Sequence, residues 1–414
     1  MVAVMLRARM EDLCEVVTDG THDSPKLQRE GVPFIKGKHI SGGTIDFDSC
    51  DFIAPEDHEE ACRRVKPQRG DILFSNIGSV GDTAVVKCER EFSIKNVALF
   101  RPDKRKVNQA YFYYLVLSPL FRANVMNVRS GSAQPFISLA NLRAFEVNYH
   151  EDIEAQCKIA NILSAYDGLI ENNQRRIKIL EEMARSLYRE WFVYFRFPGH
   201  DKVKMVPSTL GPIPQGWEVR TIADLCESVS YGYTASAVRE DIGPKFLRIT
   251  DIVPDVIEWD RVPFCEIPVG TVPKYLVKRG DIVIARTGAT TGYAKRLNKR
   301  HPNTVFASYL VRVRARADVS NLMLGLLIES ADYKQFIKTN IGGAAQPQAN
   351  AVVLTSMRLA TPPSPLGKNF DRLVEPLLDE AELLASKIQN LRRTRDLLLP
   401  RLLSGNLAMK GISP

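Results

Sequence analysis

The stretch IANILSAYDGLIENNQRRIKILEEMARSLYREW, residues 159–191, decides the fold. Ile159, Leu163, Tyr166, Ile170, Asn173, Ile177, Leu180, Ala184, Leu187 and Trp191 recur in alternating steps of four and three. An a/d seam sustained through more than four heptads predicts a coiled-coil helix rather than an ordinary surface helix, and at 1.5 Å per residue it is roughly 50 Å long. The same pattern returns further on as Phe370, Val374, Leu377, Ala381, Leu384, Ile388, Leu391, Arg395, Leu398 and Leu402. Asn173 and Arg395 are the polar members of the two seams, and the simplest reading makes them register-setting or fraying positions.

Ahead of each helix the chain repeats itself with an offset of about 211 residues, the mark of an internal duplication. Ala223-Asp224-Leu225-Cys226-Glu227 realigns with Glu11-Asp12-Leu13-Cys14-Glu15, and Arg279-Gly280-Asp281-Ile282 with Arg69-Gly70-Asp71-Ile72. Gly343 to Pro347 likewise realigns with Gly131 to Pro135. The expected class is α+β: two strand-rich modules in tandem, each followed by a long helix, the two helices pairing as an antiparallel coiled coil. A two-fold relation between the copies requires the antiparallel sense; the alternatives are helices packed on their own modules or on another chain. The expected divisions are a first module at 1–150, a central helix at 151–197 and a Pro/Gly-rich linker at 198–217. A second module at 218–364, a C-terminal helix at 365–405 and a tail at 406–414 follow. The seam is expected at Ile170, Asn173, Ile177, Leu180 and Leu187 against Leu377, Leu384, Ile388, Leu391 and Leu398.

The 414 residues exceed what one core usually serves. Lys and Arg number 56 against 48 Asp and Glu, a net +8 that suits a polyanionic partner without requiring one. Seven scattered cysteines without a C-x-x-C pair suit reduced thiols. No run approaches the ~20 apolar residues of a membrane span, and the N-terminus is a poor signal peptide, so a cytoplasmic protein is expected. Motifs of catalysis are missing. Gly288 to Gly292 lacks the Gly-Lys-Ser/Thr ending of a phosphate-binding loop. Thr361-Pro362-Pro363-Ser364 lacks the aromatic that would stack on a flipped base. The two Arg-Gly-Asp tripeptides read as turns entering strands. This pattern indicates binding rather than catalysis, with no metal site.

Lys36 and Lys38 flank Gly37, and Lys295 and Arg296 open a basic run, as phosphate contacts do. Loops combining Gly with Asn, Gln or Arg are candidates for base edges, because Asn or Gln pairs bidentately with adenine and Arg with guanine. Those loops hold Asn76, Gln134, Arg286 and Gln346.

With these motifs in order along nearly the whole chain, the sequence resembles the specificity (S) subunit of type I restriction–modification enzymes, the HsdS family. The resemblance is carried by Asp19-Gly20-Thr21-His22, Gly31 to Ile35, Arg69 to Leu73 and Gly131 to Pro135. In the second half it is carried by Tyr231-Gly232-Tyr233-Thr234, Phe246 to Ile252, Gly280 to Gly288, and the ending Leu399 to Gly405. It adds His22, Tyr231, Tyr233 and Arg248 to the candidate DNA-binding residues. It implies a non-catalytic subunit whose modules each read half of a split, asymmetric double-stranded DNA target, with the helices as a ruler between the halves. It also implies two adenine-N6 methyltransferase (modification) subunits and two restriction subunits as partners, which carry S-adenosylmethionine, ATP and magnesium. The competing readings are a specificity subunit of a class whose methylase and nuclease are fused, a protein-only coiled-coil adaptor, and an enzyme with a dispersed active site.

Overall fold

The heptad stretch folds as one helix, Ile153–Tyr188, closed by a wider turn over Arg189–Val193, and the second seam as the helix Ser364–Leu403. This computed structural model describes residues 4–128, 135–254, 256–298, 301–341 and 348–405. Every seam position of both helices is buried or half-buried, while their neighbours on the outer faces are largely exposed. That is the burial pattern a 3.5-residue repeat produces.

The chain forms two units, Met1–Glu171 with Gln389–Pro414, and Asn172–Ile388. Each holds a part of both helices. In the first, Arg395 meets Asp167, and His150 Nε2 lies 2.9 Å from the Leu402 carbonyl. In the second, Arg176 pairs with Glu380 at 3.0 Å, and the Trp191 ring packs 5.5 Å from Phe370. Later residues of one helix meet earlier residues of the other in both units, so the helices pair as an antiparallel coiled coil.

Each unit repeats one plan. The first has an antiparallel sheet with strand order Cys14–Asp19, Ala98–Pro102, Ile72–Phe74, Thr83–Val85. The second has Cys226–Tyr231, Leu310–Ala315, Ile282–Ala285, Ala294–Arg296 in the same order. A parallel pair stands beside each sheet, Val32–Lys36 with Ser93–Lys95 and Lys245–Leu247 with Thr304–Phe306. A two-stranded ribbon closes each module just before its long helix, Met5–Arg9 with Glu146–His150 and Glu218–Thr221 with Arg358–Thr361.

The Arg-Gly-Asp turns explain themselves here. Gly70 and Gly280 take φ of +93° and +84°, open to glycine at little cost. The following aspartate is buried in both cases. Asp71 accepts the Gln68 N–H at 2.8 Å and both prongs of the Arg101 guanidinium at 2.9 and 2.7 Å. Asp281 accepts the Lys278 N–H at 2.8 Å and both prongs of Arg314 at 2.7 Å. Turn and neighbouring strand are thereby clamped through a bidentate pair.

Each module also carries two consecutive short helices, Gln109–Leu117 then Pro119–Val128, and Asn321–Glu329 then Ala331–Asn340. Ser118 precedes a proline, which drives it to extended geometry and ends the helix. Ser330 caps the helix that follows by accepting the Tyr333 N–H. The Pro/Gly-rich passage after residue 197 is packed, with Ile213 and Trp217 buried in one core with Trp191, Phe192, Phe197 and Phe370. In the first unit the helix starts and ends join the module core through Ile159, Leu163, Leu399 and Leu402. Each such side chain contributes roughly 1.5–3 kcal/mol by leaving water.

Candidate nucleic-acid interface

Strand register collects the candidate loops of the first unit. Gly20 ends the strand Cys14–Asp19 so close to Ile94 that a Cβ would lie 2.0 Å from its carbonyl oxygen. That approach lets Thr21 bridge to Lys95, and His22 Nδ1 reaches Asn96 Oδ1 at 2.8 Å. Lys36 is the register partner of Lys95. Lys36 Nζ sits 2.7 Å from Asp51 Oδ2, with Lys38 Nζ at 3.9 Å, and these cations hold the Asp51 carboxyl below its ordinary range. Gly37 abuts Ser75, whose loop continues through Asn76 to Gly78. That loop is sewn to the next by Ile137 N–H to Asn76 O at 2.8 Å and Gly78 N–H to Pro135 O at 2.9 Å. His22, Lys36, Lys38 and Asn76 therefore come from adjoining segments. Only the backbone and amide of Asn76 take part, because its side chain is buried with Nδ2 3.4 Å from the Ile137 carbonyl.

The second unit repeats the frame with other side chains. Gly232 passes as closely over Phe306 and Ala307, and Tyr233 donates its N–H to the Phe306 carbonyl at 2.8 Å. The Tyr233 ring lies 5.2 Å from Tyr275. Arg248 follows the strand Lys245–Leu247 and is locked to Asp251 through two contacts at 3.0 and 2.9 Å. Arg286 leaves the end of the strand Ile282–Ala285, its carbonyl accepting the Ala349 N–H at 2.9 Å, as Asn76 accepts Ile137. Its guanidinium carbon stands 5.0 Å from the Tyr231 ring centre, and Tyr231 Oη accepts the Ala351 N–H at 2.9 Å.

Lys295 and Arg296 are not brought to this face. They pair with Val283 and Ile282, at the opposite end of the strand from Arg286. Arg296 Nε donates to Asn321 Oδ1 at 2.6 Å, and burial lowers its pKa from the ordinary arginine value. Gln134 and Gln346 lie outside the described residues. Sequence reasoning missed Asn96, whose φ of +51° turns it toward His22, and Tyr309, 60% exposed, whose carbonyl accepts the Arg286 N–H at 3.0 Å. An Asn inside an apolar strand pattern and an aromatic after Ser308 were the available signals. Among the described residues no group of three His, Cys, Asp or Glu side chains is placed to hold a metal, and no helix is long and apolar enough to cross a membrane.

Paired helices carrying two copies of one strand-and-loop frame, with different side chains at matching loop positions, define a duplicated binding protein. The family model described as type I restriction modification DNA specificity domain matches residues 7–182 and again 214–392, and the chain belongs to that family. It is accordingly a non-catalytic DNA sequence-recognition subunit of a type I restriction–modification system. The chain is 25% identical over 366 residues to the type I restriction enzyme MjaIX specificity subunit of Methanocaldococcus jannaschii, covering 85% of this chain and 81% of that one. It is 22% identical over 411 residues to the HindI specificity subunit of Haemophilus influenzae, covering 82% and 87%. Among solved structures it resembles the type I restriction–modification S subunit from M. genitalium, with a TM-score of 0.60 at 14% identity over 97% of this chain and 96% of that one. That likeness concerns the fold.

Proposed function

We propose that each module reads one half of a split, asymmetric double-stranded DNA target and that the paired helices set the gap between the halves. The observation that carries this reading is the unlike filling of like positions. Asn76 and Arg286 occupy the same place after the same strand, and so do Lys36 and Arg248. One frame with two side-chain sets reads two different sequences. The modules take the bounds 1–150 and 218–364, with a connecting segment at 198–217 between the first long helix and the second module. Contacts to DNA come from His22, Lys36, Lys38, Gln134, Tyr231, Tyr233, Arg248, Arg286 and Gln346, with Lys295 and Arg296 serving phosphates away from the loop face and Asn76, buried on the Ile137 carbonyl, shaping its loop.

The partners in this reading are two adenine-N6 methyltransferase subunits and two restriction subunits, in the cytoplasm. S-adenosylmethionine, ATP and magnesium belong to them. The test is the methylome of a cell with and without this gene. Loss of adenine methylation at one bipartite, asymmetric motif is expected on deletion. Unchanged methylation in a cell that expresses the whole system overturns the reading.

A further inference from the structure

Arg286 is held through its backbone and by an aromatic ring beneath its side chain. Its N–H donates to the Tyr309 carbonyl at 3.0 Å and its carbonyl accepts from Ala349 at 2.9 Å, so the backbone is held from two sides. Its side chain lies over Tyr231, 5.0 Å from guanidinium carbon to ring centre, and Nε is buried with no hydrogen-bond partner among the described residues. Tyr231 is held in turn by the Ala351 N–H. Two other arginines of this module are committed to carboxylates, Arg248 to Asp251 and Arg314 to Asp281. No ion pair of Arg286 is found among the described residues.

An arginine guanidinium held over an aromatic ring keeps its remaining N–H groups as a planar fork whose position the ring restricts. A phosphate also accepts a bidentate fork, but it can be reached from many directions and does not require one fixed plane. The O6 and N7 atoms of guanine in the major groove need one plane and one spacing, which this fork supplies. The matching position in the first unit lacks the device, since Asn76 is buried with its amide on the Ile137 carbonyl.

Resting on the reading that these loops face DNA, we infer that Arg286 reads one guanine in the half-site served by the second module. Tyr231 acts as its positioning residue. The consequence is a G·C pair at one defined place in that half-site, with no counterpart dictated by residue 76 in the other.

The test uses the complete specificity subunit with its methyltransferase partner and selects bound duplexes from a pool randomised across the site. Arg286→Ala should lower the preference for guanine at one position roughly ten-fold or more, and leave the other half-site intact. Arg286→Gln should move that position toward adenine, the base a carboxamide pairs with. Tyr231→Leu should weaken the same position only. Uniform weakening without altered preference would reveal a phosphate contact and overturn the inference, and so would unchanged selection. Retained preferences in the first half-site report that each variant is folded. A wild-type complex that selects no second half-site at all would refute the underlying reading instead.

Discussion

Arg395 of the C-terminal helix reaches Asp167 of the first long helix, Nη1 to Oδ1, at 2.5 Å. Asp167 also accepts the Tyr114 hydroxyl at 2.7 Å, and Arg395 makes a second contact with Asp396 at 2.8 Å. The polar member of the second seam is thus an interhelical tie anchored to the module core through Tyr114. Both side chains are partly exposed, so the expected coupling in an Asp167/Arg395 double-mutant cycle is about 1 kcal/mol. Arg395→Leu should be close to neutral, because a leucine continues the apolar seam while Tyr114 still serves Asp167. Asp167→Leu should cost about 1–2 kcal/mol by leaving the Tyr114 hydroxyl unpaired. Urea midpoints of the four proteins decide this, and a coupling near zero would reduce the contact to proximity.

The aspartates of the two Arg-Gly-Asp turns should behave as twins. Asp71 and Asp281 are both 1% exposed, and each holds a bidentate arginine plus a turn N–H. Replacing either with alanine strands a half-buried guanidinium, a loss of about 3 kcal/mol. The two clamps lie in separate cores, so the double variant should lose the sum. Denaturant titrations of Asp71→Ala, Asp281→Ala and the double variant would show it. A markedly smaller combined loss would mean that the clamps are coupled.

These two examples mark what sequence could and could not reveal. The heptads disclosed both helices because burial of a narrow stripe forces a 3.5-residue repeat whatever the partner. The duplicated Arg-Gly-Asp disclosed a shared turn because only glycine accepts the positive φ there. Neither pattern could name Asp167 as the partner of Arg395, since Asp167 lies beside the seam, not in it. Basic runs are subject to the same limit. Lys295 and Arg296 follow Arg286 closely in the chain, and strand register carries them to the end of the sheet away from it. The stacking of Arg286 on Tyr231 joins residues far apart in the chain and becomes visible only with the sheet in place.

His39 should make the first module sensitive to mild acid. It is 2% exposed, its Nδ1 accepts the Lys36 N–H at 3.1 Å, and Nε2 has no partner among the described residues. Burial, reinforced by the adjacent Lys38, lowers its pKa from the ordinary histidine value of about 6.5. The folded state therefore prefers the neutral ring, and the unfolded chain takes up the proton first. Stability is intact above about 6.5 and declines as pH falls below it toward the depressed folded value. His39→Gln should flatten that segment of the profile. Thermal unfolding between pH 5 and 8, beside the NMR titration of the ring, checks both the slope and its owner. A ring titrating at the ordinary value would remove this slope, and one titrating above it would reverse the sign.

The proposed ruler can be lengthened in a way the antiparallel pairing prescribes. Four residues added to one helix would move its a/d stripe off the partner and shift one seam against the other. A whole heptad preserves the phase, and the partner must gain one as well. Seven residues inserted after Asn173 and seven after Leu384, at about the level where Arg176 meets Glu380, extend both seams together. Each heptad adds roughly 10 Å, about three base pairs of duplex rise. Methylation-site sequencing should then recover the same two half-sites separated by about three more base pairs. An unchanged gap in a stable, active variant would show that something other than these helices sets the spacing. Altered half-sites would show that the loops feel the change in the helices through the cores they share, Ile159 and Leu399 with Ile137 in one unit and Trp191 and Phe370 with Ala349 in the other.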